Sequence, residues 1–375
     1  MNRAALIVGF VACSALVASC GSTPAVTPTT TQAPVQAQET TISMAFVGDV
    51  LPHSPLVTQA QRNATRAGNP DGFDFSPMFA DITPLISQAD LAICHLETPI
   101  APQGEALSTF PFFGVPPEIT NALAESGFDR CSTASNHTYD RGLAGIDTTI
   151  NALEDQGIAQ SGMARTPDEI EPSVFKLRGV AMSHLSYTFS YNGLTLPKDQ
   201  QWRSALINTD RILRDAKKAR QLGAQVVIVS MHWGNEMSHQ LNSQQTSVAD
   251  ALTASGDVDL IVGHHAHVVQ PIEQVNGVWV MYGMGNVLSN LPTDERWPAS
   301  SQDAGIFTTT LRVQPNGSMS FDRPIVHPTW VDKNNDWVIR NITENLRNNT
   351  PGVNTNELEQ SLRRTARVLG EFITP

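Results

Sequence analysis

The chain is short of positive charge, of cysteine and of long apolar runs, and each shortage excludes a class of protein. Its 375 residues carry 24 basic and 36 acidic side chains, a net charge of −12. That balance excludes nucleic acid and anionic lipid as general surface partners, because both are gripped by lysine and arginine. The longest uncharged apolar stretch, Ala4 to Ala18, has 15 residues, fewer than the roughly 20 a membrane span needs. Cysteine occurs four times, at positions 13, 20, 94 and 131. No internal repeat of fixed period is present, and the tryptophans are scattered without a carbohydrate-stacking pattern.

The ends read differently from the middle. Arg3 followed by the apolar stretch reads as a signal peptide over residues 1–19, and Val17-Ala18-Ser19-Cys20-Gly21 resembles a bacterial lipobox. Cleavage before Cys20 and lipidation of its thiol would make the protein extracytoplasmic, on the cell membrane through a lipid anchor alone. Residues 20–41 are mostly Thr, Pro, Ala and Gln and read as a disordered tether. Residues 42–333 form the expected domain, and 334–375 a polar tail with one helix near Glu357–Val368. Loss of residues 1–19 takes Arg3 with it and leaves the remainder more acidic. Cys94 and Cys131 then remain inside apolar runs, where an exported compartment permits a disulfide and burial equally suits free thiols.

What is present is a series of short Val/Ile/Leu-rich runs separated by helical stretches, the pattern of buried βαβ units. Strands are predicted at Ile42–Val47, Leu91–His95, Phe128–Thr133, Val226–Ser230 and Leu260–Val262. Helices are predicted at Pro116–Ser126, Gly142–Gln156, Asn208–Leu222 and Gln244–Ala254, with another marked by the spacing of Phe79, Ile82, Leu85 and Ile86. From Ser173 the pattern turns to hairpins, with Asn276-Gly277 and Asn316-Gly317 as turns. An α/β first half and a β-rich second half imply two packed sheets with helices outside, a four-layer α/β/β/α sandwich.

The strand runs end on metal-ligand chemistry. AFVGD ends at Asp49, LAICHLE at Glu97, CSTASNH at Asn136-His137, VVIVSMH at His232, and LIVGHHAH at His265 and His267. In parallel sheets ligands collect beyond the carboxyl ends of the strands, so these side chains are expected to meet on one edge. Imidazole with carboxylate and amide oxygen is the donor mixture of divalent first-row metals. A bridging Asp49 or Glu97 would let two ions (Mn, Fe, Zn or Mg) sit together, and their charge would draw an anionic substrate into an acidic protein. At strand spacing, His265 and His267 project to one side, and His264 is expected to point away. Asn136-His137 also reads as a helix-entry turn. His95, His184, His239 and His327 read as ordinary residues.

The segments GDVLPH, HLETP, SNHTYDRG, HWGNE, GHHAHVVQPIE and YGMGN, in this order and spacing, resemble the CapA-type proteins of poly-γ-glutamate capsule biosynthesis. That family is similar to the calcineurin-like metallophosphoesterases, and the resemblance spans roughly residues 43–324. It implies a metallophosphoesterase-like fold and a two-metal hydrolase acting on a phosphoester or cell-envelope polymer. Asp49, with His53 in place of a histidine normally two residues on, and His267 would hold the first metal. Glu97 would bridge where aspartate is usual, and Asn136, His232 and His265 would hold the second. His137 would protonate the leaving group, and Asp140 would orient it or simply start a helix. Glu236 and Asn286 would shape the pocket wall. The same resemblance admits a different role, a non-catalytic binding or anchoring subunit alongside membrane-embedded capsule synthesis or export proteins.

Overall fold

The computed structural model describes residues 39–374. The expected leader over 1–19, Cys20 and the tether as far as residue 38 lie outside the described residues. The first half runs β1 (Thr40–Val50), α1 (Ser54–Arg66), two single-turn helices α2 (Ser76–Phe79) and α3 (Thr83–Ile86), β2 (Leu91–Leu96), α4 (Glu118–Ser126), β3 (Arg130–Ser132), α5 (Gly142–Asp155) and β4 (Ala159–Ser161). The middle runs β5 (Phe175–Leu177), β6 (Val180–Thr188), α6 (Thr209–Gln221), β7 (Val226–His232), α7 (Ser243–Ala254), β8 (Leu260–His264), β9 (Ile272–Val275) and β10 (Val278–Met281). The last part adds β11 (Asp303–Val313), β12 (Met319–Phe321), β13 (Ile325–Asp332), β14 (Val338–Asn341), α8 (Ile342–Asn348) and α9 (Thr355–Leu369).

The strands form two sheets. One has the order β14-β13-β11-β1-β2-β3-β4, with β12 on β11; the other is β5-β6-β7-β8-β10-β9. β1 to β4 are mutually parallel, as are β6, β7, β8 and β10. The hairpins on the flanks pair antiparallel.

Side-chain alternation makes the layers. Ile42, Met44 and Phe46 of β1 and Leu91 and Ile93 of β2 pack against Val226 and Ile228 of β7 and Leu260 and Val262 of β8. This is the core between the sheets. The alternate residues Ala45, Val47, Ala92 and Cys94 face Leu56, Met78, Ile119, Leu123 and Leu153 on α1, α2, α4 and α5. On the far side, Val227, Val229 and Ile261 meet Ile212, Ala216, Val248 and Leu252 of α6 and α7. Each fully buried Leu, Ile or Phe contributes roughly 1.5–3 kcal/mol, and three stacked cores give the α/β/β/α sandwich its stability. Cys94 and Cys131 are direct neighbours across β2 and β3, with Cα atoms 4.4 Å apart, and are joined as a disulfide.

Four readings are corrected. The expected helix through Phe79 and Ile86 is two separate turns, because Pro84 has no N–H and its ring excludes the carbonyl four residues back. The tether gives way to strand before residue 41: Thr40 and Thr41 pair with Val313 and Arg312 of the long β11. The stretch after 333 is no mere tail, since β14 completes one sheet edge and α8 and α9 bury Ile342 and Leu358 against Trp330. It also holds two helices rather than one. Residues 39–374 accordingly behave as one unit. His53, expected as a ligand of the first metal, stands at the N-cap position of α1, a helix not among those predicted.

Candidate metal centre

Alternation carried to the strand ends decides which side chains meet. On the inner faces the series 91-93-95, 226-228-230-232 and 260-262-264 bring His95, His232 and His264 between the sheets, all buried. β1 would turn Asp49 outward, but its pairing with β2 shifts register between Phe46 and Asp49. Val47 and Val50 therefore both face the helices, and Asp49 turns inward. Gly48 permits this, because a Cβ there would lie 1.9 Å from the Gly285 carbonyl oxygen, whereas the Asp49 N–H donates to that oxygen at 2.9 Å.

Glu97 directly follows β2, and Asn136 and His137 sit in the turn after β3. The Ser135 hydroxyl joins the two segments, donating to the Glu97 carbonyl at 2.6 Å and accepting from the His137 N–H at 3.0 Å. Here the structure overturns the reasoning for His265 and His267. β8 ends at His264, so these two stand in a turn with left-handed backbone, φ 87° and 55°. The turn, not strand alternation, brings them to the site. His264 does not point away; its Nδ1 lies 3.6 Å from Asp49 Oδ1 and its ring stacks on His95 at 4.0 Å.

Six of the expected ligands converge. His232 Nε2 lies 2.8 Å from Asn136 Oδ1 and 4.0 Å from Glu97 Oε1. His267 Nε2 lies 3.8 Å from the same Glu97 oxygen, and its Nδ1 faces Asp49 Oδ2 at 3.0 Å and Asn286 Oδ1 at 2.8 Å. Donor atoms of Glu97, His232 and His265 lie within 4.8 Å of one another, as do those of Asp49, Glu97 and His267, and of Glu236, His265 and His267. Glu97 thus stands between two triads. His53 does not join them: it belongs to none of these clusters, and its Nδ1 accepts the Asn290 N–H at 3.3 Å. The four-residue step from Asp49 starts α1 and turns that ring to the main chain.

His137 Nδ1 is bonded to Asp140 Oδ2 at 2.7 Å, and the same oxygen accepts the Phe113 N–H at 2.7 Å. Phe113 packs edge-on to His137, and Phe189 lies over His265 with ring centres 4.4 Å apart. Asn192 Oδ1 accepts from Asn136 Nδ2 at 3.2 Å, which turns Asn136 Oδ1 toward His232. Phe113, Phe189 and Asn192 come from loops and have no signal in the sequence. His95 had one: it lies two residues beyond Ile93 on the inner face of β2.

The donor set suits a divalent ion. Both Glu97 carboxylate oxygens are buried without a hydrogen-bond partner among the described residues, and leaving such a group unpaired is costly. Burial raises Glu97 well above the usual carboxylate range, against the pull of His267. Burial would raise Asp49 too, but His264 and His267 hold it below that range. Burial lowers His267, yet Glu97 and Asp49 outweigh it and push the imidazole up to about 10. His265 is pulled down to about 3 and His232 well below the ordinary value, both first by burial. A proton on His267 thus sets positive charge beside the Asp49 carboxylate, while burial favours the uncharged form of Glu97. Neutral imidazoles facing oxygen donors form a site for cations.

The profile of the bacterial capsule synthesis protein PGA_cap family matches residues 43–291. The chain belongs to this family. It is 25% identical over 299 residues to the capsule biosynthesis protein CapA of Bacillus anthracis, covering 77% of this chain and 68% of that protein. It is 26% identical over 294 residues to the PGA biosynthesis protein CapA of Bacillus subtilis strain 168, covering 75% and 70%. Among solved structures, the calcineurin-like phosphoesterase YfkN of B. subtilis aligns with a TM-score of 0.47 at 14% identity, over 88% of this chain and 99% of that one. As a PGA_cap protein the chain carries its buried carboxylate–imidazole cluster wholly inside the family-matched region, from Asp49 to Asn286.

Proposed function

We propose that this PGA_cap protein is a metal-dependent hydrolase of phosphoesters or related bonds, working on a cell-envelope polymer or its precursor. The observation that carries the reading is Glu97: a buried carboxylate with no hydrogen-bond partner among the described residues, shared by two triads of metal-type donors. Asp49 and His267 would hold one divalent ion, Asn136, His232 and His265 a second, and Glu97 both. Bound there, divalent ions supply Lewis acidity toward a phosphoryl oxygen. The chain's own residues do the rest. Asp140 binds His137 through Nδ1 and leaves Nε2 as the nitrogen that hands a proton to a leaving oxygen. Asn192 orients Asn136, and Phe189 covers His265 and narrows the approach of water.

The test is elemental analysis of the purified protein, followed by phosphomonoester and phosphodiester assays with Mn, Fe, Zn and Mg. His137→Ala should keep metal content and lower kcat by roughly 10²–10⁴. No hydrolysis under any metal, with capsule function intact in that variant, would instead establish a binding or anchoring subunit among capsule synthesis or export proteins.

The name of the B. anthracis relative supports a capsule polymer as the setting, and the lipobox-like Ser19-Cys20 supports export and a lipid anchor. Cys20→Ala should move the protein from the membrane to the soluble fraction; continued membrane association would rule out the anchor. Among the described residues no helix is long and apolar enough to cross a membrane.

A further inference from the structure

We propose that His95 is a positioning residue that, together with Ser132, fixes which nitrogen of His232 faces the metal centre. The inference rests on the metal reading above. His232 Nδ1 lies 2.9 Å from His95 Nε2, and His95 Nδ1 lies 2.8 Å from Ser132 Oγ. Ser132 Oγ in turn lies 3.3 Å from the Cys94 carbonyl oxygen. All three side chains are buried, so each polar atom must find its partner within the chain of contacts. Donor atoms of His95, Asp49 and His232 also lie within 4.8 Å of one another, but both nitrogens of His95 are engaged by Ser132 and His232, which places it behind His232.

The Ser132–His95 and His95–His232 links each need one hydrogen and one lone pair, so only two self-consistent arrangements exist for neutral rings. In the first, the Ser132 hydroxyl donates to the Cys94 carbonyl and accepts from His95 Nδ1–H. His95 Nε2 then accepts from His232 Nδ1–H, and His232 turns a bare Nε2 lone pair toward Asn136 and Glu97. In the second, every hydrogen is reversed: His232 Nε2–H donates to Asn136 Oδ1, and the hydroxyl donates to His95. Only the first presents a ligand. It ends at Ser132 on a main-chain carbonyl, which can accept but never donate, and it leaves His232 Nε2 and Asn136 Oδ1, 2.8 Å apart, as two lone pairs for a cation, whereas the second fills that contact with a hydrogen. Both arrangements hold the same number of protons, so choosing the first adds no charge to the buried layer. His264, stacked on His95 at an interplanar angle of 16°, keeps that ring in the plane the chain requires.

The experiment compares wild type with His95→Phe, His95→Gln and Ser132→Ala. Zn(II) affinity is measured by chelator competition, stoichiometry by elemental analysis, and folding by thermal melts in chelator. A ¹⁵N–¹H imidazole correlation spectrum of the zinc-loaded wild type reads the tautomer of His232. Expected are a proton on His232 Nδ1, a roughly 10–100-fold weaker site in His95→Phe, partial recovery in His95→Gln and a several-fold loss in Ser132→Ala. Unchanged affinity in folded His95→Phe or Ser132→Ala protein overturns the inference. So does a proton on His232 Nε2 in the zinc-loaded wild type; both results leave the metal centre standing. Should His95→Phe not fold, Ser132→Ala and the tautomer decide. Wild type that takes up no zinc removes the metal reading itself, and this inference with it.

Discussion

Glu97 concentrates the electrostatic problem of this protein in one side chain. A buried carboxylate with no hydrogen-bond partner among the described residues costs stability when charged, so burial favours its protonated form. Replacing it with an uncharged isostere therefore separates binding from folding. Glu97→Gln should lose at least one bound ion per chain by elemental analysis. Its unfolding free energy in chelator should stay within about 1 kcal/mol of wild type. A large loss of stability in chelator would show that Glu97 serves the fold instead. Asp49 is different, since His264 and His267 already compensate its charge.

At the scale of elements, the carboxyl ends of β1, β2, β3, β7 and β8 must be held in register for ligands to meet. The Cys94–Cys131 bridge ties β2 to β3 just below Glu97 and Asn136. It closes a loop across 37 positions of sequence separation, so the paired substitution of both by alanine should cost roughly 2–4 kcal/mol in denaturant unfolding. Because it lies on the helix-facing side of the sheet, the loss should appear in stability before it appears in metal stoichiometry. Elements also mark where a sequence reading stops. The strands and most helices were legible from their periodicity. The break at Pro84 and the role of the residues beyond 333 were not, because β14 becomes a strand only by pairing with β13. The meeting of Asp49, Glu97, Asn136, His232, His265 and His267 was legible, each behind an apolar run. His53 was misplaced because the sequence does not show that α1 begins there.

Across the whole molecule, several histidines are buried in the uncharged form. His53 is held down to about 4 by burial and His265 to about 3, while His184 and His95 lie well below the ordinary value for the same reason. Their folded pKa values lie below the unfolded value of 6.5, so the unfolded chain takes up protons first as pH falls. Stability should therefore decline from about pH 6.5 toward pH 4, as the unfolded chain takes up protons that those four imidazoles refuse in the folded state. Glu97 works in the opposite sense, and His267 loses its contribution only as pH rises toward 10, but the buried neutral rings outnumber them in the acid range. Melting of chelator-treated protein between pH 8 and 4 checks this, and a midpoint that rises on acidification would refute it.

By itself the sequence determined the strand runs, the layered α/β/β/α architecture they imply, and the residue types waiting behind each strand. Those follow from local alternation, which a single chain displays openly. Tertiary structure alone decided the register shift that turns Asp49 inward and the left-handed turn that aims His265 and His267. It also decided the burial that places His95 behind His232, since each depends on what a second sheet or a distant loop presses against. Alternation says which side a residue faces, and only packing says what it meets there.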